Sequence, residues 1–278
     1  MVEDLLAPGA HGRRVYVALG DSFTEGVGDY SPRLPNGVRG WADRVAEQLA
    51  RADPGWEYAN LAIRSKRLRH IIAEQLDPAL AMEPTLVTLY AGGNDILDIG
   101  TDIHALMKDY EFLVARLSAS GATVVLFTGF DVRVSALLEP LKRRNAIYNR
   151  RVREVAARYE AVLVDYWCFD AFYDPRMWDA DRLHMSTAGH KYLAGQVLDQ
   201  LGVPHKVKTK EWAPAPKAGF RDWERRQRRW VHDWVLPLFG RKIRGVTLGD
   251  QLSPRWPAPV RVPPKAGLKK LAAKIPAG

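Results

Sequence analysis

Four short blocks of this 278-residue chain hold residue types that together can break an acyl bond. GDSFTEG at 20–26 offers Ser22 as a nucleophile, and DRLH at 181–184 supplies Asp181 and His184 three residues apart. A serine hydroxyl attacks a carbonyl only when a positioned base removes its proton, so Ser22 gains meaning through His184 and the acid that orients it. The short Asp181–His184 spacing lets one turn aim the carboxylate at one imidazole nitrogen while the other nitrogen faces the serine. YAGGNDI at 90–96 presents the Asn94 amide next to paired glycines. An amide aimed at a developing oxyanion is worth on the order of 100- to 1000-fold in turnover. NLAIRS at 60–65 can add a backbone N–H.

These blocks need a frame that brings them to one edge. Short runs rich in Val, Leu and Tyr at 13–19, 56–61, 85–90, 122–128 and 161–166 read as strands, and several are too apolar to have a wet face. Helical spacing fills the gaps at 41–51, 66–76, 102–118 and 141–159, with a last helix at 187–201. Five strands alternating with helices predict a doubly wound α/β domain, whose ligands bind beyond the carboxyl ends of the strands. GDSFTEG, NLAIRS and YAGGNDI each follow a strand directly. Ser186 or Thr187 is expected to cap the last helix, Gly121 to end the third, Asp21 to steady its turn and Asp95 to cap the helix after it. Cys168 reads as a small buried hydrophobe, and His11, His70, His104, His190, His205 and His232 as surface or packing residues. Phe23 and Thr24 after the serine leave out the second glycine of the G-x-S-x-G elbow, which separates the chain from that class of hydrolase. No H-E-x-x-H or similar cluster marks a metal site, so neither metal nor cofactor is expected.

The four blocks, in this order and each in its place, resemble those of the SGNH hydrolases, also called the GDSL esterase/lipase family, over roughly residues 13–201. The resemblance implies a flavodoxin-like three-layer sandwich. It implies Ser22 as nucleophile, His184 as base and Asp181 as its orienter. It also implies an oxyanion hole made by the Ser22 N–H, the N–H at position 65 and the Asn94 amide. The family usually has glycine where this chain has Ser65. If that position needs a left-handed backbone, a side chain there is strained by about 1–2 kcal/mol.

Composition divides the chain. Residues 205–278 hold 18 basic and 5 acidic residues, a balance of +13, whereas the first 204 sum to −4. Nine of the 18 prolines also fall in that last quarter. We therefore expect a catalytic domain over 1–204 with a five-stranded parallel sheet, and a basic Trp/Arg/Pro-rich extension over 205–278. In the extension Phe220, Trp223, Trp230, Trp234 and Leu238 line one face of an amphipathic helix near 219–240, expected to pack on the domain. Glu3 and Asp4 stand where a secretory signal carries positive charge. No run reaches eighteen apolar residues, and Cys168 is the one cysteine, so a soluble, cytoplasmic protein without disulfides is expected. The expected activity is hydrolysis of small to medium acyl esters. The competing reading is a binding protein tethered by its basic tail to a membrane surface or a nucleic acid.

Overall fold

The computed structural model describes residues 12–98, 100–129, 139–209, 212 and 249–273, with residues 139 and 140 described by backbone alone. Five strands lie close to their expected places: β1 (Arg14–Gly20), β2 (Trp56–Asn60), β3 (Leu86–Tyr90), β4 (Thr123–Phe127) and β5 (Val162–Val164). Their order in the sheet is β5-β4-β3-β1-β2, all parallel, so the chain starts near the middle and winds outward both ways. Residues 15–19 of β1 are wholly buried, as a central strand covered on both faces requires. Tyr16 and Ala18 point into one core, while Val15, Val17 and Leu19 point into the other.

Helices make the outer layers. The first core packs the sheet against α2 (Gly40–Ala52) and α8 (Thr187–Gln200), with Trp41 fully buried and its ring 5.0 Å from that of Phe127. The second packs it against α6 (Ile103–Ser118) and α7 (Glu139–Arg158). The helix expected over 66–76 instead begins as α3 (Leu68–Ile71), passes through a π-helical turn at Ile72–Leu76 and runs on as α4 (Asp77–Ala81). α1 (Ser22–Glu25) and α5 (Gly93–Ile96) are single turns that start just past β1 and β3. Ser186 caps α8 by accepting from the Ala188 and Gly189 N–H groups. Ala119, rather than Gly121, caps α6, and Gly121 follows in a left-handed conformation.

Among the described residues the sheet has six strands, not five, and the sixth comes from the extension. β6 (Trp256–Arg261) pairs antiparallel with β2, with Glu57 opposite Arg261 and Tyr58 opposite Val260. Pro257 and Pro259 hide this strand from a sequence reading because proline cannot donate to a ladder. At the edge of a sheet, one row of N–H groups needs no partner, so proline is tolerated. The chain then forms α9 (Leu268–Ala272), whose first N–H donates to Glu47 and whose Leu268 side chain is wholly buried. Residues 219–240, with the expected tryptophan-lined helix, lie outside the described residues. Among those described, no helix is long and apolar enough to cross a membrane.

Candidate active site

Gly20 ends β1 with φ 144°, and a Cβ there would collide with the Tyr90 carbonyl and with Thr24 Oγ1. Only glycine lets the chain turn this close to β3. Both backbone groups of Gly20 are held by one side chain: its N–H donates to Gln75 Oε1 and its carbonyl accepts from Gln75 Nε2, each at 2.9 Å. Asp21 then caps α1, accepting from Phe23 N–H at 3.1 Å, so Ser22 is the first residue of that turn. Burial pushes the Asp21 carboxyl up to about 7, against the bond from Phe23 and the nearby His184.

Across the edge, the loop before α8 carries the other two groups. His184 Nε2 lies 2.9 Å from Ser22 Oγ, and His184 Nδ1 lies 2.5 Å from Asp181 Oδ2. Asp181 Oδ1 also accepts from the Leu183 and His184 N–H groups, both at 2.9 Å. Burial raises the Asp181 carboxyl, but the hydrogen bonds and charge from His184 outweigh it and hold the carboxyl below its usual range. Asp181 is thus kept as a carboxylate facing the imidazole. Between these residues Arg182 takes a left-handed backbone, φ 56°. Thr187 donates to Asp29 at 2.7 Å, and Arg44 pairs with the same carboxylate, which joins this loop to the segment that follows Ser22.

Asn94, in α5, uses its amide twice: Nδ2 donates to Lys66 O at 2.9 Å and to Asp21 Oδ2 at 3.2 Å. Ser65 sits in the left-handed region at φ 67°, the case in which the usual glycine would be easier. Its neighbours are clamped on both sides, Lys66 O by Asn94 and the Arg64 N–H by Glu25 Oε2 at 2.7 Å. The Glu25 carboxylate is wholly buried and also takes the Arg64 guanidinium, with Nη2 to Oε1 at 2.6 Å. Ser22, Asn94 and His184 line one cleft of about 670 Å³, open mouth included. Ser65 is not among its lining residues. The walls are mostly apolar: Phe23, Tyr90, Ile96, Leu97, Leu141 and Leu183.

Two expectations change. Asp95 does not cap the helix it leads into; α5 is capped at Gly92 and α6 at Asp102. Its carboxylate instead accepts from Leu68 N–H at 2.9 Å, capping α3 from across the edge, because α3 lacks a side-chain cap from Arg67 of the usual Ser, Thr or Asp type. Cys168 is exposed, not buried, since it ends a short turn past β5. His190 is a packing residue, fully buried with Nε2 3.0 Å from Val27 O. Among the described residues, no group of three or more His, Cys, Asp or Glu is placed to hold a metal ion. Sequence reasoning missed Gln75, Glu25, Arg64 and Arg255. Glu25 and Arg64 carried a signal, opposite charges in two blocks that each follow a strand, whereas Arg255 stands in a proline-rich stretch with no local sign of burial.

A flavodoxin-like sheet carries a serine, a histidine and an aspartate in hydrogen-bonded sequence at its carboxyl edge, the arrangement of a serine hydrolase. Residues 18–192 match the model of the GDSL-like Lipase/Acylhydrolase family, and the chain belongs to that family. It is a serine ester hydrolase. An acetylxylan esterase of Geobacillus stearothermophilus is 26% identical over 163 residues, covering 53% of this chain and 73% of that protein. The solved structure of that esterase superposes with a TM-score of 0.58 at 22% identity, over 71% of this chain and 96% of the other. The psychrotrophic esterase EstA from Pseudoalteromonas superposes with a TM-score of 0.54 at 18% identity, over 68% and 97%. At these identities the superpositions carry the fold.

Proposed function

We propose that the protein hydrolyses carboxylic esters of small to medium acyl groups through an acyl-enzyme on Ser22. The observation that carries this reading is the unbroken run Ser22 Oγ, His184, Asp181 at 2.9 and 2.5 Å beside an apolar cleft. Ser22 Oγ attacks the ester carbonyl while His184 Nε2 takes its proton. Asp181 holds the ring by Nδ1–H and balances the imidazolium that forms. The oxyanion is met by backbone N–H groups of Ser22 and Ser65 and by Asn94, whose longer bond to Asp21 is the one shared at that moment. His184 then returns the proton to the leaving alcohol, and a water activated by the same ring releases the acid. Replacement of one serine or one histidine by alanine in the Geobacillus acetylxylan esterase each yields a catalytic mutant, the same two residue types.

The cleft supports a hydrocarbon acyl group. Each methylene buried there is worth about 0.8 kcal/mol, or about fourfold in kcat/KM. We expect turnover of p-nitrophenyl esters to rise from acetyl toward about hexanoyl, and a fluorophosphonate probe to label Ser22. Labelling of another serine, or ester turnover that survives Ser22→Ala, overturns the reading.

A further inference from the structure

The C-terminal segment reaches the site through buried charge. Arg255 lies just before β6, its guanidinium wholly buried. Nη2 donates to Asp43 Oδ2 at 2.5 Å, and Nη1 to Asp43 Oδ1 at 3.1 Å, Arg39 O at 2.7 Å and Glu25 O at 2.9 Å. Nε donates to Pro35 O at 3.1 Å. Such a cation is tolerated in the interior only with its donors matched, and here each nitrogen has an acceptor. One of those acceptors is the carbonyl of Glu25, the residue whose carboxylate holds the Arg64 N–H and guanidinium. Six residues earlier the same segment touches that loop again, at Ile63 and Arg64. Gly249 packs so closely on the Arg64 carbonyl and the Ile63 side chain that a Cβ would collide with both. Asn36 ties the two contacts together, donating to Glu25 Oε1 at 3.2 Å and to Ser253 O at 3.1 Å.

We propose that Gly249–Arg255, acting through Glu25 and Arg64, is a positioning element for Ser65: it holds the peptide before Ser65 so that a non-glycine residue keeps its left-handed backbone at the oxyanion site. The proposal rests on the reading of Ser22 as nucleophile with the Ser65 N–H as an oxyanion donor. A glycine at position 65 adopts φ 67° at no steric cost. Serine pays for that conformation, and the clamps on Arg64 and Lys66 counter the relaxation it would otherwise undergo. The segment therefore stands in for the missing glycine. Its residues are positioning residues, since none lines the cleft.

The test uses the full chain and six variants: Gly249→Ala, Ser65→Gly, the two combined, Glu25→Gln alone and with Ser65→Gly, and Ser22→Ala. The added methyl must push the loop or the segment away. We expect kcat on a p-nitrophenyl ester to fall on the order of 10- to 100-fold, as a donor misplaced by about 1 Å costs, with KM within twofold. Ser65→Gly in the Gly249→Ala protein should restore most of that loss, because glycine holds the conformation unaided. Glu25→Gln, which weakens the hold on Arg64, should lower kcat in the same direction and be rescued by Ser65→Gly too. A fall in melting temperature with kcat unchanged at 25 °C, or a loss of kcat that Ser65→Gly leaves in place, overturns the positioning role. Survival of turnover in Ser22→Ala is a different failure, that of the nucleophile assignment itself.

Discussion

Asp181 and His184 lie on a loop that braces itself, whereas Arg64 and Ser65 lie on one braced from a distance. On the first, the Asp181 carboxylate takes N–H groups two and three residues ahead, and Asp179 N–H meets His184 O at 2.8 Å. On the second, the partners are Glu25, 39 positions away, and Asn94, 28 positions from Lys66. Arg255 grips Glu25 across 230 positions. Each loop contains a non-glycine residue in the left-handed region, Arg182 at 56° and Ser65 at 67°. Strain of that kind persists where the surroundings over-determine the backbone. His184 is secured by local hydrogen bonds, and the Arg64–Ser65 loop by buried charge drawn from a distant part of the chain.

The largest test of the contrast removes the chemistry proposed for Ser22 and His184. Ser22→Ala and His184→Ala should each lower kcat on the order of 10⁴-fold or more, and the double variant should be little worse, since the pair acts as one unit. Losses that multiply in single-turnover measurements would mean that the two residues act separately. Breaking the distant brace alone comes next. Arg255→Met leaves the Asp43 carboxylate buried without its cation, and urea denaturation should show a loss of about 3–5 kcal/mol. A loss under about 1 kcal/mol would show that the extension merely rests on the sheet.

A third test concerns the joint between α8, which follows the Asp181–His184 loop, and the segment after Ser22. Burial pushes the His190 imidazole down to about 4, with Arg44 and His184 adding to the effect and Asp29 and the Val27 carbonyl opposing it. The unfolded chain takes up this proton near 6.5, before the folded protein does. Stability should therefore fall as the pH drops from about 6.5 to 4, by about 3 kcal/mol for this group. Asp21 runs the other way, because its carboxyl is raised from 3.8 to about 7 and the fold gains from its protonation over that window. Comparing the wild type with His190→Gln cancels the Asp21 contribution. Parallel stability profiles between pH 4 and 7.5 would remove His190 from the account. The smallest effect is Ser65→Gly alone, expected to stabilise the fold by about 1 kcal/mol through relief of its backbone, less the entropy glycine costs the unfolded chain. A lowered melting temperature would mean that the serine side chain earns its place by a contact of its own.

Much of the molecule was legible in residue order. Strands β1 to β5 were readable because a strand covered on both faces must be apolar at successive positions. That Ser22, His184 and Asp181 meet was readable because chemistry restricts the residue types that work together and a single turn restricts Asp181 and His184. Asp95 and Cys168 were misread for a shared reason: capping and burial depend on which element lies opposite, and neither neighbour is near in sequence. Arg255 and β6 were missed because proline and charge signal a loop wherever context is local. At the open edge beside β2 the same residues complete a sheet and match a buried carboxylate.

Sequence by itself determined the parallel core of the fold, the family and the residues that can react, since periodicity, strand-end motifs and the Asp-x-x-His turn act within a few positions. Tertiary structure decided which distant groups hold them still. Asp95 caps a helix other than its own, Gln75 fastens the turn before Ser22, and Arg255 joins Asp43 to the Glu25–Arg64 pair. Each of these satisfies a buried polar group whose partner is fixed by the packing of elements far apart in the chain, and burial of a polar group becomes visible only when that packing is in place.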